Sequence, residues 1–137
     1  MAHWLVKSEP SVYSWDQMVK DKRTFWSGVR NHQAAANMKA MKKGELALFY
    51  HSNEGKEIVG IVRVAKEYYP DHTDETGKFG MVDLEAVKPL KSAVTLTAIK
   101  EDARLKDFGL VRQGRLSVVA VGDAHWALLM KMAGEKA

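Results

Sequence analysis

The sequence predicts an α+β fold: an antiparallel, barrel-like sheet with helices against it. Three observations carry that prediction. Apolar periodicity runs in the order strand, helix, helix, three strands, short helical turns, strand, helix, and successive strands joined by short turns pair antiparallel. Neither a GxGxxG nor a GxxxxGK[ST] run occurs, so a doubly wound nucleotide-binding sheet has no fingerprint here. The 137 residues, 46% hydrophobic and 28% charged, fit a single domain over 1–137 with enough chain to bury a core.

The elements follow in chain order. HWLVK (3–7) alternates as a short strand, Trp4 and Val6 on one side and His3, Leu5 and Lys7 on the other, and Pro10 stops it. A helix then opens at Ser14, with Gln17 completing a capping box and Trp15, Met18 and Val19 as its apolar stripe, and fades by Asp21–Lys22. A second helix is expected over 31–42. Ala34, Met38 and Met41 fall at i, i+4 and i+7 on its buried face, Asn31 shares that side, and Gly44 ends it.

ELALFYH (45–51) and KEIVGIVRVAKEYY (56–69) read as strands joined by the hairpin loop HSNEG, the second apolar on both faces and therefore central. A turn-rich stretch (69–78) leads to another strand at 79–90, with Val82, Leu84 and Ala86 on one side and Met81, Asp83 and Glu85 on the other. Residues 95–108 make short helical turns and 115–121 the last strand. Asp123 caps a closing helix striped by Trp126, Leu129, Met130 and Ala133.

Composition narrows the function classes. The absence of cysteine excludes disulfides and thiolate metal sites and favours a cytoplasmic, intracellular setting. The opening MAHWLVKSEP lacks the apolar run of a signal peptide, and no segment approaches the roughly 20 apolar residues of a membrane span. Net charge is +4, and all of the excess lies in residues 1–69, with 11 Lys/Arg against 7 Asp/Glu; residues 70–137 balance at 10 and 10. Local positive charge favours an anionic partner, nucleic acid included, although a solvated face would read the same way.

Four stretches bear on chemistry. Lys7, Ser8 and Glu9 sit where a strand ends at a proline, a position that either lines a site or forms a solvated turn. His51 and Ser52 leave the next strand together, but no GxSxG elbow accompanies them and no carboxylate is spaced to orient the histidine. The histidines at 3, 32, 51, 72 and 125 show no HxxxH or HxH spacing, and DHTDE lacks the EF-hand pattern; no metal and no cofactor are expected. The sharpest signal is FWSGVRNHQ. Trp26 is either a core anchor or a stacking platform, and Arg30, Asn31 and Gln33 add guanidinium and amide groups behind it. An aromatic plane beside such donors suits a nucleobase, a carboxylate such as Glu9 can accept from cytosine's amine, and Lys39, Lys42 and Lys43 would meet phosphates. In the competing reading Asn31 merely caps its helix and Arg30 forms a surface ion pair.

The segments HWLVKSEP, WSGVRNHQA, AMKKGELALFYHSN, KEYYPDHT and RLSV, in this order and spacing over residues 3 to about 128, resemble the EVE domain family. The resemblance implies a PUA-like fold, a curved sheet or pseudo-barrel flanked by helices and related to YTH and ASCH domains. It also implies a pocket that accepts a single modified base, a modified cytosine in DNA being the usual expectation, with RNA as the other polymer. Matched residue by residue, the pocket falls on Lys7, Ser8, Glu9, Trp26, Val29, Arg30, Asn31, His51 and Ser52, with Gln113 a weaker addition. His32 stands where the family often has tyrosine, Ala35 and Ala36 stand for an Arg-Asn pair, and Ala120 stands at a proline position. The expected protein is thus a monomeric reader of a modified base in nucleic acid. The alternative is a small enzyme acting on a nucleotide or small amide, with Glu9 or His51 as general base. Both readings expect Trp26→Ala to abolish ligand binding and leave the fold largely intact, as a binding assay paired with a melting curve would show.

Overall fold

Six strands form one open sheet in the order β2-β5-β4-β3-β1-β6, which is mixed and not closed into a barrel. The computed structural model of the protein describes residues 2–135. In chain order the elements are β1 (His3–Ser8), α1 (Trp15–Asp21), β2 (Arg23–Trp26), α2 (His32–Ala40), β3 (Leu46–His51), β4 (Glu57–Pro70) and β5 (Gly80–Thr95). They continue with α3 (Leu96–Glu101), a single 3₁₀ turn (Ala103–Leu105), α4 (Gly109–Arg112), β6 (Val118–Val121) and α5 (Asp123–Met132). Four pairings are antiparallel, and β1 runs parallel to β3 with α1, β2 and α2 forming the crossover between them. Register shifts along β4 and β5 mark the irregularities at which these long strands bend. No described helix is long and apolar enough to cross a membrane.

The buried set follows the sequence pattern closely. Ala34, Met38 and Met41 are fully buried, as are Leu84 and Val82 on β5, and α5 buries Trp126, Leu129 and Met130, with Ala133 buried at its cap. β4 sits at the centre of the sheet, where its two-sided apolar run places it. In β1 both faces are covered: Trp4, Leu5 and Val6, which alternate across the sheet, are all buried.

The structure corrects several local readings. Residues 23–26 form an edge strand on β5 that no sequence pattern predicts, because RTFW is too short to show periodicity. Asn31 is exposed and caps α2 with its Oδ1, which accepts from the Ala34 N–H at 2.9 Å, instead of lying on the buried face. A cap residue precedes the first helical turn, so helical spacing does not extend to it. Gly44 does not end α2, which stops at Ala40 with Met41 as its cap; the Gly44 φ of +93° serves the turn into β3, and its N–H donates to the Val64 carbonyl. Only half of the capping box forms. Ser14 Oγ accepts from the Gln17 N–H, while the Gln17 side chain bonds Asp21. Val19 is exposed, and Gly122 stands at the cap of α5 in place of Asp123, which is the first helical residue.

One glycine is demanded by packing. A Cβ on Gly60 in β4 would lie 2.5 Å from the Trp15 ring, so the indole of α1 rests directly on bare backbone. Gly60→Ala should lower stability by about 1–3 kcal/mol through overpacking. A chemical-denaturation midpoint measures it, and an unchanged midpoint would show that α1 shifts freely.

Candidate functional site

The turn from Trp26 to Asn31 is built around one carboxylate supplied by the chain 40 residues later. Asp71 follows β4, and its side chain is fully buried. Its Oδ2 accepts from the Gly28 N–H at 2.8 Å and from an Arg30 guanidinium nitrogen at 3.0 Å. Its Oδ1 accepts from the Thr73 N–H at 2.7 Å and from the Thr73 hydroxyl at 2.6 Å, while the other Arg30 terminal nitrogen donates to Thr73 Oγ1 at 3.0 Å. Burial alone would raise the Asp71 pKa, but the bonds from Thr73, Gly28 and Arg30 outweigh it and hold the group well below the usual carboxylate range. Gly28 adopts φ +83° with open space around the missing Cβ, so the turn needs glycine for its backbone conformation and not for room.

This turn forms one wall of a cleft of about 350 Å³. The opposite wall is the C-terminal end of β1, held on both sides: the Lys7 N–H donates to the Ser117 carbonyl and the Ser52 N–H donates to the Ser8 carbonyl, each at 3.0 Å. Ser8 Oγ donates to the Tyr13 carbonyl at 2.7 Å, which folds the 9–14 loop over the cleft and leaves the hydroxyl oxygen able to accept. The Lys7 ammonium donates to the Gly114 carbonyl at 2.7 Å, and burial pushes its pKa down. Asn31 Oδ1 is occupied by the helix cap, and its Nδ2 makes no hydrogen bond among the described residues.

Of the ten residues proposed from sequence for ligand binding, six line this cleft: Lys7, Ser8, Trp26, Val29, Arg30 and Asn31. Glu9 is exposed next to the cleft, and only its backbone carbonyl is engaged, by the Val12 and Tyr13 N–H groups. His51 lies apart from the cleft. Its Nε2 accepts from the Trp15 N–H at the start of α1 at 3.0 Å, and burial lowers its pKa, so its lone pair already has a structural task. Ser52 lines a separate cleft, and Gln113 is an exposed residue at the end of α4. Lys39 stands near the far end of α2, over the Tyr68 ring at 5.5 Å, and Lys42 and Lys43 follow that helix. At 1.5 Å per residue, these lysines are on the order of 12 Å or more from Asn31. Arg30 makes all its hydrogen bonds inside the protein, which fits an orienting role.

Trp26 answers to both of its readings. It lines the cleft and is only 9% exposed, with its ring edge-on to Phe49 at 5.7 Å and to Tyr13 at 6.1 Å. It is a core wall that shows a limited face to the cleft. Sequence reasoning missed Val12, Tyr13, Phe25, Ser27 and Ser117 in the lining, and Asp71 behind it. Phe25 and Val12, 49% and 78% exposed, stand at the cleft as apolar groups turned to solvent. The one signal for Asp71 was the Asp-x-Thr spacing of an Asx turn, which its bonds to Thr73 realise. No group of three or more potential metal ligands occurs among the described residues.

A family model described as EVE domain matches residues 2–132. Thymocyte nuclear protein 1 from Gallus gallus is 34% identical over 98% of this chain and 69% of its own length. Among solved structures, an NMR structure of a Rhodopseudomonas palustris protein superposes with a TM-score of 0.93 at 54% identity, covering 98% of this chain and 94% of that one. The crystal structure of human THYN1 protein in complex with 5-methylcytosine-containing DNA superposes with a TM-score of 0.91 at 31% identity, covering both chains completely.

Two outcomes test the site's construction. The folded state holds Asp71 ionised below its ordinary pKa of about 3.9, so its contribution is fully present above about pH 4 and is lost as pH falls toward the lower folded value. Asp71→Asn should cost on the order of 3 kcal/mol at pH 7 and flatten the acid limb of a urea-midpoint against pH curve. Trp26→Ala, in contrast to the expectation drawn from sequence, should cost about 3–5 kcal/mol by emptying a core position. Thermal melting of Trp26→Ala beside Trp26→Phe checks it, and an unchanged melting temperature would return Trp26 to the surface.

Proposed function

The chain belongs to the EVE domain family, and we propose that it is a nucleic-acid-binding module whose cleft holds one modified cytosine, extruded from DNA. The observation that carries this reading is the cleft itself. It has the polarity of a base site: Trp26 and Val29 give an apolar wall with Asn31 in the same turn, and Lys7 and Ser8 line the opposite wall, in a fold shared with a human protein bound to 5-methylcytosine-containing DNA. The Asn31 Nδ2 group donates to the base's ring nitrogen or carbonyl, because its Oδ1 is already committed to the helix. The Ser8 oxygen accepts from the exocyclic amine, a task the sequence reading gave to Glu9. Val29 and Trp26 receive the modified C5 edge, and the exposed Phe25 ring offers a stacking face that the buried Trp26 does not.

Extrusion from a duplex costs a few kcal/mol, and one aromatic stack returns roughly 1–3 kcal/mol, so the polar contacts and phosphate charge supply the rest. RNA carrying the same base presents the same edge and is the second polymer for this site. In this reading the chain acts as a monomer, in the cell interior, where modified nucleic acid is met. His51 offers little to a hydrolytic reading, since its accepting nitrogen is held by the α1 backbone away from the cleft.

Asn31→Asp separates recognition from folding. Aspartate caps a helix as well as asparagine does, but it replaces the Nδ2 donor with an acceptor. The variant should keep its melting temperature and bind 5-methylcytosine oligonucleotides at least about tenfold more weakly, a loss of about 1.4 kcal/mol. Fluorescence anisotropy with matched plain and methylated DNA and RNA at one salt concentration measures it. Equal binding of all oligonucleotides by the wild type, or unchanged affinity in Asn31→Asp, would overturn the base-reading assignment.

A further inference from the structure

Beside the base cleft lies a second one, of about 260 Å³, on the other side of Lys7. We propose that it binds a backbone phosphodiester of the same nucleic-acid strand, next to the extruded base; the choice of occupant rests on the function proposed above. Three lysines from three separate elements converge on it: Lys7 from the end of β1, Lys56 from the loop before β4, and Lys100 from α3. No carboxylate among the described residues lines it.

What sets the cleft apart is the gathering of three lysines in one concavity, since most of the described lysines lack an ion pair. Arg23, Arg30, Arg63, Lys88, Arg104 and Arg112 each sit within ion-pair distance of an Asp or Glu. Lys7, Lys56 and Lys100 form no ion pair among the described residues, although like charges gathered in one concavity repel. Such an arrangement is stabilised by an anion, and lysine is a compact point charge well suited to phosphate.

The loop is also shaped to hold polar groups there. Asn53 and Lys56 adopt φ of +68° and +49°, a conformation that side-chain-bearing residues seldom take. The Lys56 carbonyl accepts from the Leu96 N–H at 2.8 Å, which fixes this strained position against the start of α3. Ser52 and Asn53 add neutral hydrogen-bonding groups. Because Lys7 lines both clefts, an anion in the second is contiguous with a base in the first, as a phosphate flanking that base on one strand would be. The backbone track then runs across the ends of β1 and β3, in place of the route past Lys39, Lys42 and Lys43 that charge runs in the sequence point to.

The experiment compares wild type, K56Q/K100Q and K42Q/K43Q for binding to a single-stranded 5-methylcytosine oligonucleotide and its plain counterpart, from about 50 to 200 mM salt. Lys7 is left intact because it also lines the base cleft. For K56Q/K100Q the slope of log K against log salt should flatten by about 0.7 to 1.4, one or two phosphate contacts on a single strand. The ratio of methylated to plain affinity should hold, and K42Q/K43Q should match the wild type. An unchanged slope in K56Q/K100Q overturns the proposal, as does an equal flattening in K42Q/K43Q. Competition by 5-methylcytidine 5′-monophosphate separates the phosphate sources: if K56Q/K100Q weakens the mononucleotide but leaves the polymer slope intact, the cleft takes a free phosphate and the strand assignment fails. If the wild type shows no preference for the methylated base, the base-reading proposal fails by itself, and the slopes still decide the lysine cleft.

Discussion

Asp71 is the constraint on which the candidate site depends. A buried carboxylate is costly unless its oxygens are satisfied, and here four hydrogen bonds, one of them from a guanidinium, do so. Two of those donors, Gly28 and Arg30, belong to the turn that follows β2, so stabilising the charge and shaping the turn are the same event. The turn in turn delivers Asn31 to the first position where α2 needs a cap. A segment of irregular backbone, which would otherwise move freely, becomes a rigid wall because its conformation is the one that neutralises Asp71.

The sheet supplies the opposite wall. β1 lies between β3 and β6, so its C-terminal residues Lys7 and Ser8 are pinned by backbone bonds from both neighbours at the point where the sheet opens to solvent. Clefts form on the two sides of that end, and Lys7 lines both. Their chemistry differs. One is walled by Trp26 and Val29 with amide and hydroxyl groups; the other has leucine and valine beneath three lysines. A rigid strand end flanked by a base-sized cleft and a cationic one holds two parts of one ligand at fixed separation, which limits the ordering cost of binding.

The buried face of α2, the central place of β4 and the stripe of α5 were all legible, because each rests on a period of 3.6 or 2 that only residue order sets. So was the neighbourhood of Trp26, whose motif places Trp26, Val29, Arg30 and Asn31 around one cleft with Lys7 and Ser8 of the first motif. The edge strand β2 was hidden, since its four residues gain their extended state from β5 and not from any pattern of their own. Asn31 looked inward because the helical period was carried one residue too far. His51 was expected in the pocket from its pairing with Ser52 and from the family motif, whereas its imidazole completes the start of a helix 36 residues earlier in the chain.

By itself the sequence determined the secondary structure of its periodic segments, the core faces they bury and the family to which the motifs belong. Those properties are local or carried by short ordered motifs, and side-chain character at fixed spacing is enough to specify them. Tertiary structure alone decided that Asp71 organises the Trp26–Asn31 turn, that Trp26 is a wall with little free face, and that Lys7, Lys56 and Lys100 meet in one cleft. Each joins residues tens of positions apart through a strand order, β2-β5-β4-β3-β1-β6, that no local pattern encodes. Hydrogen-bond reach and charge proximity act over a few ångströms of space and are indifferent to separation along the chain.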